Sequence, residues 1–162
     1  MAHTQRLKYL GYAIVLQEVP DEISLAINIS GCPHKCEGCH SQYLWEYRGL
    51  YVSDSLPALI DKYAGYITCV CFMGGDQNMK ELSELCNYVH SCGLKCCLYS
   101  GLDDFPVDLP DFDYVKIGHY DNTLGGLDKP TTNQKMYKRK LDSTYIDITY
   151  KFKKEEFYAE DF

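Results

Sequence analysis

Residues 67–73, Ile-Thr-Cys-Val-Cys-Phe-Met, form an almost continuous apolar run that stops at Gly74-Gly75. A strand apolar on both faces must be covered on both, as central strands of parallel sheets are. The flanking segments suit that role. Residues 23–29 alternate at period two, with Ile23, Leu25, Ile27 and Ile29 on one face, and predict a strand. Residues 78–92 predict a helix with Leu82, Leu85 and Val89 as its buried stripe, Asn78 or Gln77 as cap and Gly93 as the residue that ends it. Residues 55–63 predict a second helix, with Pro57 in its first turn. Residues 9–17, 95–99, 114–117 and 144–152 predict further strands, the last with Ile146, Ile148, Tyr150 and Phe152 on one face. This alternation of strands and helices implies an α/β fold with a mostly parallel sheet, in one domain over residues 1–162. Ligands of such sheets bind at the carboxyl ends of the strands, where the loops at Gly31, Gly74 and Ser100 lie.

Composition narrows the function. Lys+Arg 16 against Asp+Glu 23 leaves a net charge of −7, which argues against a general nucleic-acid binder. No signal-peptide pattern opens the chain and no apolar run is long enough to span a membrane, so a cytoplasmic protein is expected. Nine cysteines cannot all pair with one another, and in a reducing compartment clustered cysteines bind metal or react more often than they form disulfides.

Three of the nine, Cys32, Cys36 and Cys39, fall within one loop at C-x3-C-x2-C spacing. Thiolates so close can wrap one side of a metal centre. A closed zinc site needs a fourth protein ligand, for which His34 and His40 are candidates. An iron–sulfur cluster held by three cysteines would leave one iron open to a small molecule. Spacing alone leaves both readings standing. The other six cysteines are read as core residues. Cys69 and Cys71 share a strand face, Cys96 and Cys97 point to opposite faces, and Cys86 and Cys92 lie on or near one helix.

The cysteine spacing resembles the signature of radical S-adenosylmethionine (SAM) enzymes. The longer string Ser30-Gly31-Cys32-Pro33-His34-Lys35-Cys36-Glu37-Gly38-Cys39-His40, followed by Trp45, is similar to the cluster loop of the activating proteins of anaerobic (class III) ribonucleotide reductases. Gly38 departs from the aromatic residue common before the last cysteine in the wider superfamily and agrees with the activases. Met73-Gly74-Gly75-Asp76 resembles the family's "GGE" motif, with Asp76 in place of Glu and Gln77 where proline is common. The segment from Gly125 to Gln134 resembles the Asn-Gln stretch that closes the activases.

The resemblance implies a shortened, incomplete (βα)-barrel. It implies that Cys32, Cys36 and Cys39 hold a [4Fe-4S] cluster and that Gly38, Cys39, His40, Gly74, Gly75, Asp76 and Ser100 contact SAM. The implied activity is an oxidoreductase's: reductive cleavage of SAM to methionine and a 5′-deoxyadenosyl radical, which takes a hydrogen from a glycine of the partner reductase. The implied partners are the large, glycyl-radical subunit of an anaerobic ribonucleotide reductase and an electron donor such as flavodoxin, with no nucleic acid and no membrane. The alternatives are another radical SAM enzyme, or a zinc module without catalysis.

Other residues keep plainer readings beside functional ones. Lys116 could face the ligand or be solvated, His119 reads as a loop histidine, and Asp111 and Asp113 as solvated turn residues. The basic run Lys135, Lys138, Arg139 and Lys140 reads as a solvated face or a docking patch for a partner.

Overall fold

The computed structural model describes residues 5–39, 41–106 and 109–152. Eight strands form one sheet: β1 (Lys8–Val15), β2 (Ser24–Ile29), β3 (Leu50–Tyr51), β4 (Cys69–Met73), β5 (Lys95–Tyr99), β6 (Tyr114–Ile117), β7 (Lys135–Arg139) and β8 (Tyr145–Asp147), in the order β3-β1-β2-β4-β5-β6-β7-β8. The sheet is mixed, not mostly parallel. The central strands β2, β4, β5 and β6 are parallel, whereas β1, β3, β7 and β8 pair antiparallel on the flanks. The connections from β1 to β2 and from β7 to β8 are too short for a crossover helix, and short connections make antiparallel neighbours. Two helices, α1 (Val52–Tyr63) and α2 (Met79–Ser91), complete the α/β architecture.

The central strands bury both faces, as the run at 67–73 requires. On one face Leu25, Ile27, Val70, Phe72, Cys96 and Leu98 pack with Leu56 of α1 and Leu82 and Val89 of α2. On the other, Cys69, Cys71 and Cys97 pack with Tyr114, Met136, Ile148 and Val19. Five of the six cysteines outside the loop are therefore core residues. Cys92 is not: it caps the end of α2 and is exposed. Burial pushes the thiols of Cys69, Cys96 and Cys97 upward, so they are small hydrophobes and poor nucleophiles.

Local chemistry sets the helix ends. The Asn78 side chain accepts the Glu81 N–H (3.1 Å) and caps α2. At its other end Leu94 N–H reaches Val89 C=O and Gly93 N–H reaches His90 C=O, a Schellman closure with Gly93 at positive φ. Helix α1 begins three residues before the sequence expectation and carries Pro57 in its interior. The early start is tertiary: Val52 is buried and donates to Leu7 C=O, and Asp54 pairs with Arg6.

The C-terminal half corrects the readings of segment 144–152 and of Asp113, and it places the basic run. The alternating segment 144–152 is a strand only over Tyr145–Asp147, because Asp147 Oδ1 then accepts both the backbone N–H and the hydroxyl of Thr149, and the chain turns into a 3-10 helix at Thr149–Phe152. The basic run at 135–140 is mostly strand β7, anchored by fully buried Met136. Lys138 lies over the Tyr114 ring and Arg139 bonds Ser143. Asp113 is no solvated turn residue either, since Oδ2 accepts from Cys96 N–H and His90 Nε2.

Because β2, β4, β5 and β6 are parallel, the loops that follow them emerge along one edge. The cysteine loop follows β2, Gly74-Gly75-Asp76 follows β4, Ser100-Gly101 follows β5, and Gly118 follows β6.

Candidate functional site: a cavity walled by three thiols

The cysteine loop is closed at its base by short-range hydrogen bonds. Cys32 N–H donates to Leu44 C=O (3.0 Å), Ser30 Oγ donates to Arg48 C=O (2.5 Å), and Cys39 N–H donates to Cys36 C=O (3.2 Å). The third thiol accepts a hydrogen bond from Ser41 N–H at 3.3 Å, the type of contact that tunes a cluster sulfur. All three thiols are partly exposed, and they line a cavity of about 200 Å³ together with Gly74, Gly75, Asp76 and Ser100. Among the described residues no three His, Cys, Asp or Glu side chains are grouped to hold a metal ion by themselves.

The strand-to-helix turn after β4 supplies a polar wall. Gly74 and Gly75 have φ of 109° and 110°, which side-chain-bearing residues rarely adopt. A Cβ on Gly75 would also lie 3.0 Å from Leu82 of α2. The turn delivers Asp76 with only 5% of its side chain exposed. Its Oδ2 accepts from His34 Nε2 (2.7 Å) and Gly101 N–H (2.9 Å), while Oδ1 is buried without a partner. A second unpartnered polar atom in the same wall is Nε1 of Trp45, the sole tryptophan.

Lys116 is not the solvated lysine of the plainer reading. It is buried in β6, lines the cavity, and donates from Nζ to Ser100 C=O (2.9 Å) and Gly118 C=O (2.8 Å). Loss of water pulls its ammonium down to about 8, although Asp76, Cys36 and Cys32 favour the charge. The site thus opposes a buried ammonium to a buried carboxylate oxygen, beside three soft sulfur donors.

The remaining candidates distribute as follows. Ser100 is fully buried in the wall, with Oγ accepting from Leu102 N–H. Gln134 also reaches the wall, donating to Gly118 C=O, whereas Asn133 bonds His119 C=O behind it. Gly38 does not line the cavity: a Cβ there would stand 2.9 Å from Asn122, so it permits the 118–123 loop to pack on the cysteine loop. His119 is a loop histidine, paired with Asp103. His40 lies outside the described residues. His34, the other candidate fourth zinc ligand, is turned toward Asp76. Sequence reasoning missed that contact and the wall position of Tyr120. A larger hollow of about 860 Å³ opens at the amino ends of β5 and β6 by Lys95 and Lys138, and it holds none of the motif residues.

The donor set fits an iron–sulfur cluster with a small amino-acid-bearing ligand: three thiols, an orphaned carboxylate oxygen suited to an ammonium, and a buried cation suited to a carboxylate. No described helix is long and apolar enough to cross a membrane.

No solved structure matches the chain. The chain is similar to the anaerobic ribonucleoside-triphosphate reductase-activating protein of Enterobacteria phage T4, at 34% identity over 68 residues, covering 38% of this chain and 44% of that protein. It therefore spans less than half the length of the curated relative it matches. Residues 23–107 match the profile of the family described as 4Fe-4S single cluster domain, more than half of the chain and the stretch that carries the three thiols, Asp76 and Ser100. The chain belongs to that family, a cluster domain of the radical SAM type.

Proposed function

We propose that the protein is a radical SAM activating enzyme that generates the glycyl radical of an anaerobic ribonucleotide reductase. The observation that carries the reading is Asp76 Oδ1, a buried acceptor without a partner in the wall that also bears the three thiols. The similarity to the phage activating protein supports the choice of partner. When bound, the cluster and SAM supply an electron transfer that yields methionine and a 5′-deoxyadenosyl radical able to take a hydrogen from glycine.

This chain's residues bind and orient. Cys32, Cys36 and Cys39 hold the [4Fe-4S] cluster, and the Ser41 N–H steadies the third thiolate. Asp76 Oδ1 accepts from the amino group of SAM, with Gly74 and Gly75 allowing backbone to approach it, while Ser100 in the same wall completes the contacts. Lys116 faces the carboxylate end. The hollow of about 640 Å³ beside the cavity, which shares His34, Cys36 and Gly101 with it, offers a macromolecular substrate a way in. In this reading the sheet is the shortened, incomplete barrel of the family, and the protein works in the cytoplasm with flavodoxin or a similar electron donor.

Anaerobic reconstitution tests the reading. The protein should take up about four irons per chain, change its spectrum on adding SAM, and with SAM, reductant and a purified anaerobic reductase raise a glycyl radical signal. Cys36→Ala should abolish cluster uptake while leaving the chain folded. A colourless protein with one zinc and no iron uptake would refute it. Iron uptake and SAM cleavage without a radical on the reductase would move the activity to another radical SAM enzyme.

A further inference from the structure

We propose that His34 is a positioning residue: it fixes the Asp76 carboxylate so that Oδ1 is presented to the amino group of the bound ligand. The inference rests on the SAM reading of the cavity. It deepens that reading by assigning a function to a residue between two cluster cysteines that is no cluster ligand.

Three loops meet at the Asp76 carboxylate. His34 comes from the cysteine loop after β2, Asp76 from the turn after β4, and Gly101 from the end of β5. Both donors converge on Oδ2, His34 Nε2 at 2.7 Å and Gly101 N–H at 2.9 Å. A carboxylate has two equivalent oxygens and a broad terminal torsion. Two donors on one oxygen, arriving from different loops, hold that torsion and leave the other oxygen as the acceptor. That oxygen is buried and unpartnered.

The fit around the imidazole is tight. A Cβ on Gly101 would stand 2.5 Å from His34 Cδ2 and 2.9 Å from Cγ and Nε2, so the ring occupies the space that glycine leaves. Gly101 thus serves the contact twice, with its N–H on Asp76 and its missing side chain under His34. Because His34 lies between Cys32 and Cys36, the same hydrogen bond ties the cluster loop to the ligand-binding carboxylate. A group held in place before binding spares the ligand the cost of ordering it.

The test uses anaerobically reconstituted protein, with iron content and the Kd for SAM from calorimetry as readouts. His34→Ala should keep the full iron content and bind SAM about tenfold more weakly, or ~1.4 kcal/mol. His34→Gln, whose amide nitrogen can take the place of Nε2, should recover most of the affinity. In an Asp76→Ala background, His34→Ala should cause no further loss, since a residue acting through Asp76 has nothing left to act on. Three results would overturn the proposal. One is His34→Ala with full iron and wild-type affinity. Another is His34→Ala with its iron lost, which would place the residue's action at the cluster. The third is losses that multiply in the double variant. A reconstituted wild type that fails to bind SAM at all would instead overturn the reading of the cavity, a result distinct from these.

Discussion

Lys116→Met should change the pH dependence of stability in a way set by the burial of the ammonium. In the folded chain Lys116 is 8% exposed, and desolvation lowers it from 10.5 to about 8. Below pH 8 the folded and unfolded chains both hold the proton, and the penalty for burying the charge is fully present. Between about 8 and 10.5 the unfolded chain keeps a proton on Lys116 that the folded chain has released, so the contribution of this one residue to stability rises with pH across that window. The difference in proton affinity corresponds to ~3 kcal/mol. Methionine fills similar space without a proton to lose. It also removes the donor to Ser100 C=O and Gly118 C=O, a cost of about 1–3 kcal/mol that does not depend on pH. Denaturant unfolding of the metal-free, reduced chain should therefore show the wild type gaining about 2–3 kcal/mol on the variant between about pH 7 and about pH 10. Effects common to both proteins cancel in that difference. A gap that stays constant across the window would refute the reasoning and mean that Lys116 ionises as it would in water.

Three further outcomes are expected. Wild-type stability itself should fall above about pH 9, by up to ~1.4 kcal/mol per pH unit for each buried thiol. Cys69, Cys96 and Cys97 stay protonated when folded but ionise when unfolded, so their contribution is present below the ordinary value of 9.0 and lost above it. Cys97→Ala should make that decline shallower, and an unchanged slope would contradict the assignment. Gly101→Ala should displace the His34 ring by about 1 Å, destabilise the chain by ~1–2 kcal/mol and weaken SAM binding. Wild-type melting and affinity would show that the ring has room to spare. Trp45 lines the cavity and is the sole tryptophan, so SAM binding should shift its fluorescence; silence on saturation would place the ligand elsewhere.

What was legible in the sequence was local. Residues 95–99 and 114–117 are strands with the expected bounds, and α2 begins at its Asn78 cap and ends at Gly93, because each signal is carried by adjacent residues. Strand β7 was not legible. Its residues read Lys-Met-Tyr-Lys-Arg, and its partners are β6 and β8, so pairing and the burial of Met136 form it against its composition. The alternation at 144–152 misled for the opposite reason: a side-chain hydrogen bond from Thr149 to Asp147 outweighed a periodicity that looked extended.

The cysteine spacing, the Gly-Gly-Asp turn and the strand–helix order determined which donor groups the chain carries and the edge of the sheet at which they gather. The tertiary structure decided which groups meet there. Lys116 and Asp76 sit forty residues apart, and whether Lys116 is solvated or buried depends on the strands beside β6. His34 could have been a metal ligand by its position in the motif, and only the parallel alignment of β2, β4 and β5 brings Asp76 and Gly101 against its ring. Spacing along a chain specifies what one loop can hold. Contacts among three loops come from the register and direction of the strands that deliver them, and these are settled by packing over the whole sheet.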